Sequence, residues 1–248
     1  MKNYKIVLAY DGTRYNGWQK QGNTDNTIQE KLERILKELC GQETEVFGSG
    51  RTDAGTHATG QVMNFRMDWK GTAEELLDAF NEKLPEDIAG LSIEEMQPRF
   101  HSRLSAKAKH YSYTIWKSKR SPVFERKYVF RCEADLDVAA MKQAAAAFIG
   151  THDFKSFCAN KRMKKSSVRT IYEIKIEKDP VNDLLLFTFT GNGFLYNMVR
   201  ILSGTLIEIG LGIRTPEEIP DILNGCNRGL AGHTAPAKGL FLVSVSYE

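Results

Sequence analysis

The chain is poor in the features that usually announce a chemistry. It has only four cysteines, Cys40, Cys132, Cys158 and Cys226, and no two form a Cys-x-x-Cys pair. That spacing argues against a disulfide or zinc framework and for reduced, mostly buried thiols in a cytoplasmic protein. No apolar run approaches the ~20 residues needed to span a bilayer. The opening Met1-Lys-Asn-Tyr-Lys-Ile-Val-Leu-Ala-Tyr10 has too short an apolar stretch for a signal peptide and reads as a strand. A phosphate-cradling P-loop needs Lys-Ser/Thr after its last glycine, where Ala54-Gly55-Thr56 stands. A dinucleotide fingerprint needs its third glycine earlier, at position 53 rather than 55, opening a helix rather than the strand-like Gln61-Val-Met-Asn-Phe65. These absences argue against a membrane-spanning helix and a disulfide scaffold, and leave the common nucleotide-cofactor motifs weak.

What is present is ordinary globular material. Hydrophobic residues make up 42% and charged residues 26% of 248 positions, enough for a substantial core. That length allows one large domain or two of about 120 residues. Residues 4–10 read as a strand and 16–23 as a loop. Thr27 and Glu30 form a capping box before an apolar stripe of Ile28, Leu32, Ile35, Leu36 and Leu39. A strand near 61–67 precedes a helix capped by Thr72 and Glu75, carrying Leu76, Leu77, Phe80 and Leu84 and ended by Pro85. Residues 88–96 are a strand. The second half repeats this order loosely: strands at 111–116, 168–177, 184–190 and 240–247, and helices at 138–149, 194–209 and 216–223. In the strand 168–177, Tyr172, Ile174 and Ile176 are expected to share one face. In the helix 194–209, Arg200 lies off the apolar stripe and is expected in solvent. Met63, Met67, Met96 and Met198 look like core fillers. The predicted fold is α+β: two ferredoxin-like or RRM-like βαββαβ-type halves, residues 1–104 and 105–248, with mainly antiparallel sheets sharing a core. No Pro/Gly-rich linker separates them.

Charge is segregated. Between Arg99 and Lys127 the cations Arg99, Arg103, Lys107, Lys109, Lys117, Lys119, Arg120, Arg126 and Lys127 face Glu125 alone. Lys161, Arg162, Lys164, Lys165 and Arg169 form a second run, while residues 74–95 are strongly acidic. Such a distribution suits a polyanion on one face, although a net charge of +3 also allows accidental clustering on a solvated surface. Phe100, Tyr111, Tyr113 and Trp116, interleaved with the first run, favour RNA, whose bases stack on aromatics. Arg103, Lys107, Lys109, Lys161, Arg162, Lys164 and Lys165 are the candidate RNA contacts. His57, His101, His110, His152 and His233 lack metal-ligand spacing and read as structural or RNA-facing.

The most informative segment is Gly48-Ser-Gly-Arg-Thr-Asp53-Ala-Gly-Thr-His57. One carboxylate sits in a glycine-rich turn beside an arginine, with no second carboxylate and too few ligands for a metal. As a bare motif it reads first as a structural turn, since aspartate bonds its own backbone and tolerates left-handed φ. As a site, it offers a single aspartate acting as nucleophile or base, with Arg51 available to bind phosphate or to keep Asp53 ionised.

Six segments in order resemble the tRNA pseudouridine synthase A family. They are Tyr10-Asp-Gly-Thr-Arg-Tyr-Asn-Gly-Trp-Gln19; Gly50-Arg-Thr-Asp-Ala-Gly-Thr-His-Ala58; Phe100-His-Ser-Arg-Leu-Ser-Ala106 with Lys109-His-Tyr111-Ser-Tyr113; Val168-Arg-Thr-Ile-Tyr172; Gly193-Phe-Leu-Tyr-Asn-Met-Val-Arg200; and Ala235-Pro-Ala-Lys-Gly-Leu-Phe-Leu-Val243. Small departures occur: Lys238 stands where many members have histidine, and Lys109-His110 where a basic pair is more usual. The resemblance implies isomerisation of uridine to pseudouridine in the tRNA anticodon stem-loop, with the active site in the cleft between the halves and no cofactor or metal. It places the nucleophilic aspartate on Asp53, the arginine that holds the flipped nucleotide on Arg51, the tyrosine that packs on the target base on Tyr111, and the basic partner of the aspartate on Arg200. It also implies a homodimer gripping the anticodon arm of tRNA. The chemistry agrees, because exchanging a C–N for a C–C glycosidic bond within one nucleotide needs no redox carrier, though it does need a base taken out of its stack. A non-catalytic RNA-binding protein of two RRM-like repeats, or a cofactor-independent enzyme on a free nucleotide, remain the competing readings.

Overall fold

The computed structural model describes residues 1–248 except Lys161, Lys164, Pro180 and Asn182, and divides into two compact units. Met1–Lys107 with Phe241–Glu248 form unit 1, and Ala108–Leu240 form unit 2.

Unit 1 runs β1 (Lys2–Tyr10), α1 (Ile28–Cys40), β2 (Phe47–Gly48), β3 (His57–Met67), α2 (Ala73–Lys83) and β4 (Ile88–Met96), which is the βαββαβ order. β1 lies between β4 and β3, antiparallel to both. The far edge of β3 is shared. β2 pairs antiparallel with Asn64 and Met63, and β10 (Leu240–Ser246) pairs parallel through Phe241 and Leu242 with His57 and Ala58. Alternation along β1 buries Tyr4, Ile6, Leu8 and Tyr10 on one face. The helices add Leu32, Leu36, Leu76 and Phe80 to the core. Thr72 and Glu75 form a complete capping box on α2. On α1 the Thr27 side chain accepts the Glu30 N–H, which is half of that motif, and α1 ends on Gly41 at φ +75°.

Unit 2 holds β5 (Ala108–Trp116), β6 (Phe130–Arg131), α3 (Val138–Ala147), β7 (Gly150–Asp153), β8 (Val168–Asp179), β9 (Leu184–Gly191), α4 (Met198–Gly210) and α5 (Glu218–Asn224). Its sheet runs β5-β9-β8-β7, antiparallel throughout, with β6 parallel on β5. The core is rich in aromatics: the Phe187 ring lies 6.4 Å from both Phe189 and Tyr113, and Phe148 meets Phe157 edge-on at 5.1 Å.

Several expectations need correction. Tyr172 is 50% exposed, and Ile171 takes its place in the core with Ile174 and Ile176. The cause is a bulge in β8 between Ile171 and Glu173, which flips the alternation once. The long helix starts at Met198 rather than Phe194, because Asn197 caps it in the left-handed conformation at φ +61°. That helix is buried on almost every side, so no single stripe defines it: all its residues are buried except Arg200 and Glu208. Met96 is only partly buried, unlike Met63, Met67 and Met198. Of the cysteines, only Cys158 is buried. No helix among the described residues is long and apolar enough to cross a membrane.

Phe187 is fully buried at the centre of the unit 2 sheet. Phe187→Ala should cost about 3–5 kcal/mol, as a transfer term plus an unfilled cavity, read as a shift in denaturant midpoint at unchanged slope.

Candidate active-site elements

The Asp53 loop is held from behind by a buried polar network. Tyr10 Oη lies 2.8 Å from Thr52 Oγ1 and accepts from Gln61 Nε2 at 3.4 Å. Gln61 Nε2 also donates to the Gly50 carbonyl at 2.8 Å, and its Oε1 accepts from Ser49 Oγ at 2.9 Å. Burial pushes the Tyr10 phenol up to about 12, so it stays neutral and can act only as a hydrogen-bonding strut. His57 is fully buried; its Nδ1 accepts the Gly12 N–H at 3.1 Å, and its ring stacks on Phe241 at 4.7 Å.

From the other side, residues 12–18 press on the loop, backbone against backbone. Trp18 N donates to Thr52 O at 3.0 Å. A Cβ on Gly12 would stand 1.9 Å from Thr56 O, and one on Gly17, at φ +91°, would stand 2.7 Å from Thr52 O. Within the loop, Thr56 N donates to Asp53 O at 3.0 Å and Gly55 turns at φ +75°. The result is a rigid turn with Thr52, Thr56 and His57 buried, Asp53 partly buried and Arg51 exposed. A carboxylate on a fixed, partly exposed turn can serve as nucleophile, base or electrostatic partner with little reorganisation.

In unit 2, Tyr111 is 7% exposed on β5 and meets the Phe194 ring edge-on at 5.2 Å. Tyr113, two residues on and so on the same face of the strand, donates its hydroxyl to Pro236 O at 2.9 Å. Burial pushes the Tyr113 phenol up, opposed by the nearby positive charge of Arg200. Arg200 is partly buried, contrary to its expected exposure; its Nε donates to Ala235 O at 2.8 Å and its Nη1 to Asn197 Oδ1 at 3.0 Å. Asn197 gains that contact by its left-handed turn, which a helical wheel does not show.

Arg51 and Asp53 therefore share one loop of unit 1, where Arg103 and Lys107 are also placed, both exposed. Unit 2 carries Tyr111, Arg200, Lys109, Arg162 and Lys165. Arg162 and Lys165 are exposed and Lys109 partly buried, whereas Lys161 and Lys164 lie outside the described residues. The basic stretch 99–127 thus divides between the units. Among the described residues no group of three or more His, Cys, Asp or Glu could hold a metal. Sequence reasoning did not single out Tyr10, Gln61 and Gly17 as supports of the loop. Tyr10 and Gly17 fall in the segment 10–19 and Gln61 just after the loop, positions that say nothing about which strand lies behind it.

A family model described as tRNA pseudouridine synthase matches residues 6–103 and 144–248, including Arg51, Asp53 and Arg200; Tyr111 falls between the matched segments. The chain belongs to the tRNA pseudouridine synthase family, isomerases that convert uridine to pseudouridine in tRNA. Among curated relatives, "tRNA pseudouridine synthase A 2" of Bacillus anthracis is 43% identical over 247 residues, covering 100% of both chains. "tRNA pseudouridine synthase A" of Bacillus sp. (strain KSM-64) is 44% identical and that of Acetivibrio thermocellus 42%, each again over 100% of both chains. Among solved structures, a chain of a Cbf5-Nop10-Gar1 complex matches with a TM-score of 0.37 at 10% identity, over 96% of this chain and 48% of that one, too distant a likeness to bear on fold or function.

Gly17 and Gly41 separate local strain from site geometry. Both have positive φ, at +91° and +75°, but a Cβ on Gly41 meets nothing within 4 Å. Replacing either with alanine should cost about 1–2 kcal/mol for the left-handed backbone. Only Gly17→Ala should also depress product formation per folded molecule, as measured by pseudouridine formed in tRNA by protein normalised by its unfolding amplitude.

Proposed function

We propose that this chain isomerises uridine to pseudouridine in the anticodon stem-loop of tRNA, with Asp53 as the catalytic carboxylate. The carrying observation is the pinned Gly48–His57 loop, which presents one partly exposed aspartate from a buried frame in a chain of this family. The reaction breaks the bond from the sugar C1′ to N1 of uracil and joins C1′ to C5. One proton leaves C5 and one returns to N1, so the nucleotide keeps its composition and no carrier is needed.

In this reading Asp53 acts on a nucleotide flipped out of its stack, since the reacting atoms are inaccessible inside a helix. Arg51 holds the extruded nucleotide by its phosphate. Tyr111, stiffened by Phe194, packs on the target base. Arg200 pairs with the Asp53 carboxylate and keeps it ionised, because a neighbouring cation favours the charged form. Exposed Arg103, Lys107, Arg162 and Lys165, together with Lys109, contact phosphates. The chain acts in the cytoplasm as a homodimer, so that two copies of a +3 protein grip one polyanion.

The test is incubation with unmodified tRNA followed by position-resolved mapping of pseudouridine, with Asp53→Asn in parallel. Wild-type protein should modify uridines of the anticodon arm. Asp53→Asn should bind tRNA with unchanged affinity and form no product; product at the wild-type rate from that variant would sink the assignment. tRNA binding without product by the wild-type chain would favour the non-catalytic RNA-binding reading.

The phosphate-binding cations give a separate expectation. Arg162→Ala with Lys165→Ala should weaken tRNA binding across sequences and lower the slope of log affinity against log salt by about 1 for each phosphate no longer neutralised. The turnover rate at saturating tRNA should stay at the wild-type value.

A further inference from the structure

The two residues of α4 that escape burial, Arg200 and Glu208, both hold the same piece of chain. Residues 231–236 run back along the helix as a strap. Ala235 N donates to Arg200 O at 3.1 Å, while Arg200 Nε donates to Ala235 O at 2.8 Å. Further along, Gly232 N donates to Thr205 Oγ1 at 3.0 Å. Glu208 then takes two bonds from one residue, accepting His233 N and His233 Nδ1 on Oε1, each at 2.8 Å. The fit is close because both surfaces are bare: a Cβ on Gly204 would stand 2.0 Å from His233 O, and one on Gly232 would stand 2.7 Å from Thr205 Cα.

The strap also reaches β5. Pro236 O accepts the Tyr113 hydroxyl, one peptide beyond the carbonyl that orients Arg200. The guanidinium is a planar fork, so fixing Nε sets the direction of the whole group. Moving Ala235 by a fraction of an ångström therefore swings the charge that Arg200 carries.

Glu208 is built to anchor this strap. Its Oε2 accepts Arg214 Nε at 2.6 Å, leaving Oε1 for His233. Burial pushes its carboxyl up, but Arg214 and the two His233 donors outweigh that and hold it below the usual range, so it is ionised at neutral pH. Arg228 ties the near end of the strap through Gly232 O at 2.9 Å and Thr234 Oγ1 at 3.0 Å.

We infer that Glu208 is a positioning residue for the reaction: by clamping His233 it fixes the strap, and the strap aims Arg200. Glu208 stands eight residues, about 12 Å of helix, from Arg200, so it acts on the guanidinium only through the strap. The inference rests on the proposed role of Arg200.

The experiment measures the single-turnover rate at saturating tRNA, the tRNA dissociation constant and the thermal transition for Glu208→Ala, Glu208→Gln, Arg200→Lys and the double variant Glu208→Ala/Arg200→Lys. Glu208→Ala should slow the chemical step about ten-fold or more with tRNA affinity within about two-fold of wild type. Glu208→Gln keeps an acceptor for His233 N and should recover most of the rate. With Arg200→Lys in place, where the fork is already gone, Glu208→Ala should lose most of its further effect, a coupling that general destabilisation would not produce. If Glu208→Ala unfolds the protein, His233→Ala, at an exposed side chain, removes one of the two bonds between His233 and Glu208 and should slow the step several-fold. A wild-type rate for Glu208→Ala, or for folded His233→Ala, alongside a slow Arg200→Lys would overturn the positioning role. A wild-type rate for Arg200→Lys would instead remove the reading of Arg200 on which it rests.

Discussion

Backbone lying directly on backbone, with no side chain between, is the constraint on which the rest of this molecule depends. It occurs where residues 12–18 meet the Asp53 loop, and Gly12 and Gly17 are bare because the Thr52 and Thr56 carbonyls fill the space a Cβ would need. The strap against α4 uses the same device at Gly204 and Gly232. At such distances a peptide cannot drift without breaking hydrogen bonds made by its neighbours, so precision comes from hard contact rather than from many weak side-chain interactions. The free energy of holding a reactive group in place is thereby met in folding rather than during reaction.

The two constructions differ in what lies behind them. The Asp53 loop is backed by neutral donors and acceptors, Tyr10, Gln61 and Ser49, fully inside unit 1. A buried network of paired neutral groups rigidifies without the desolvation cost of a buried charge. The strap is backed by an ion pair, Glu208 with Arg214, near the surface where water shares the load, and the same carboxylate accepts from His233. Mostly neutral struts therefore support the carboxylate, with the Asp11 carboxylate 3.2 Å from His57 Nδ1 as the exception, whereas an ion pair supports the guanidinium.

Much of this is legible in the sequence, element by element. Three of the four strands and both helices of the βαββαβ run in unit 1 follow from period-two alternation and from capped, period-3.6 stripes, because Thr72-x-x-Glu75 and Leu76/Phe80 are local signals, whereas the two-residue β2 carries no period of its own. What escapes the sequence is tertiary. Tyr172 is misplaced by simple alternation because a bulge adds one residue without leaving a mark in composition. Arg200 is misjudged on a helical wheel because its partners, Asn197 and Ala235, come from a left-handed cap and from a segment 35 residues away. The Asp53 turn is visible through its glycines, but the residues that hold it lie on β1 and β3, and the pairing of those strands is not written in either.

The parallel pairing of β10 with β3 has a consequence for how the chain is made. Residues 241–248 belong to unit 1, yet a ribosome delivers them only after all of unit 2 has been synthesised. Until then the stretch of β3 next to the Asp53 loop, at His57 and Ala58, has an open edge, and His57 lacks the Phe241 ring that covers it. An unpaired strand edge invites pairing with another chain. The unit that begins first is thus finished last, and the nascent protein passes through a stage in which its Asp53 loop is tethered to an incomplete sheet.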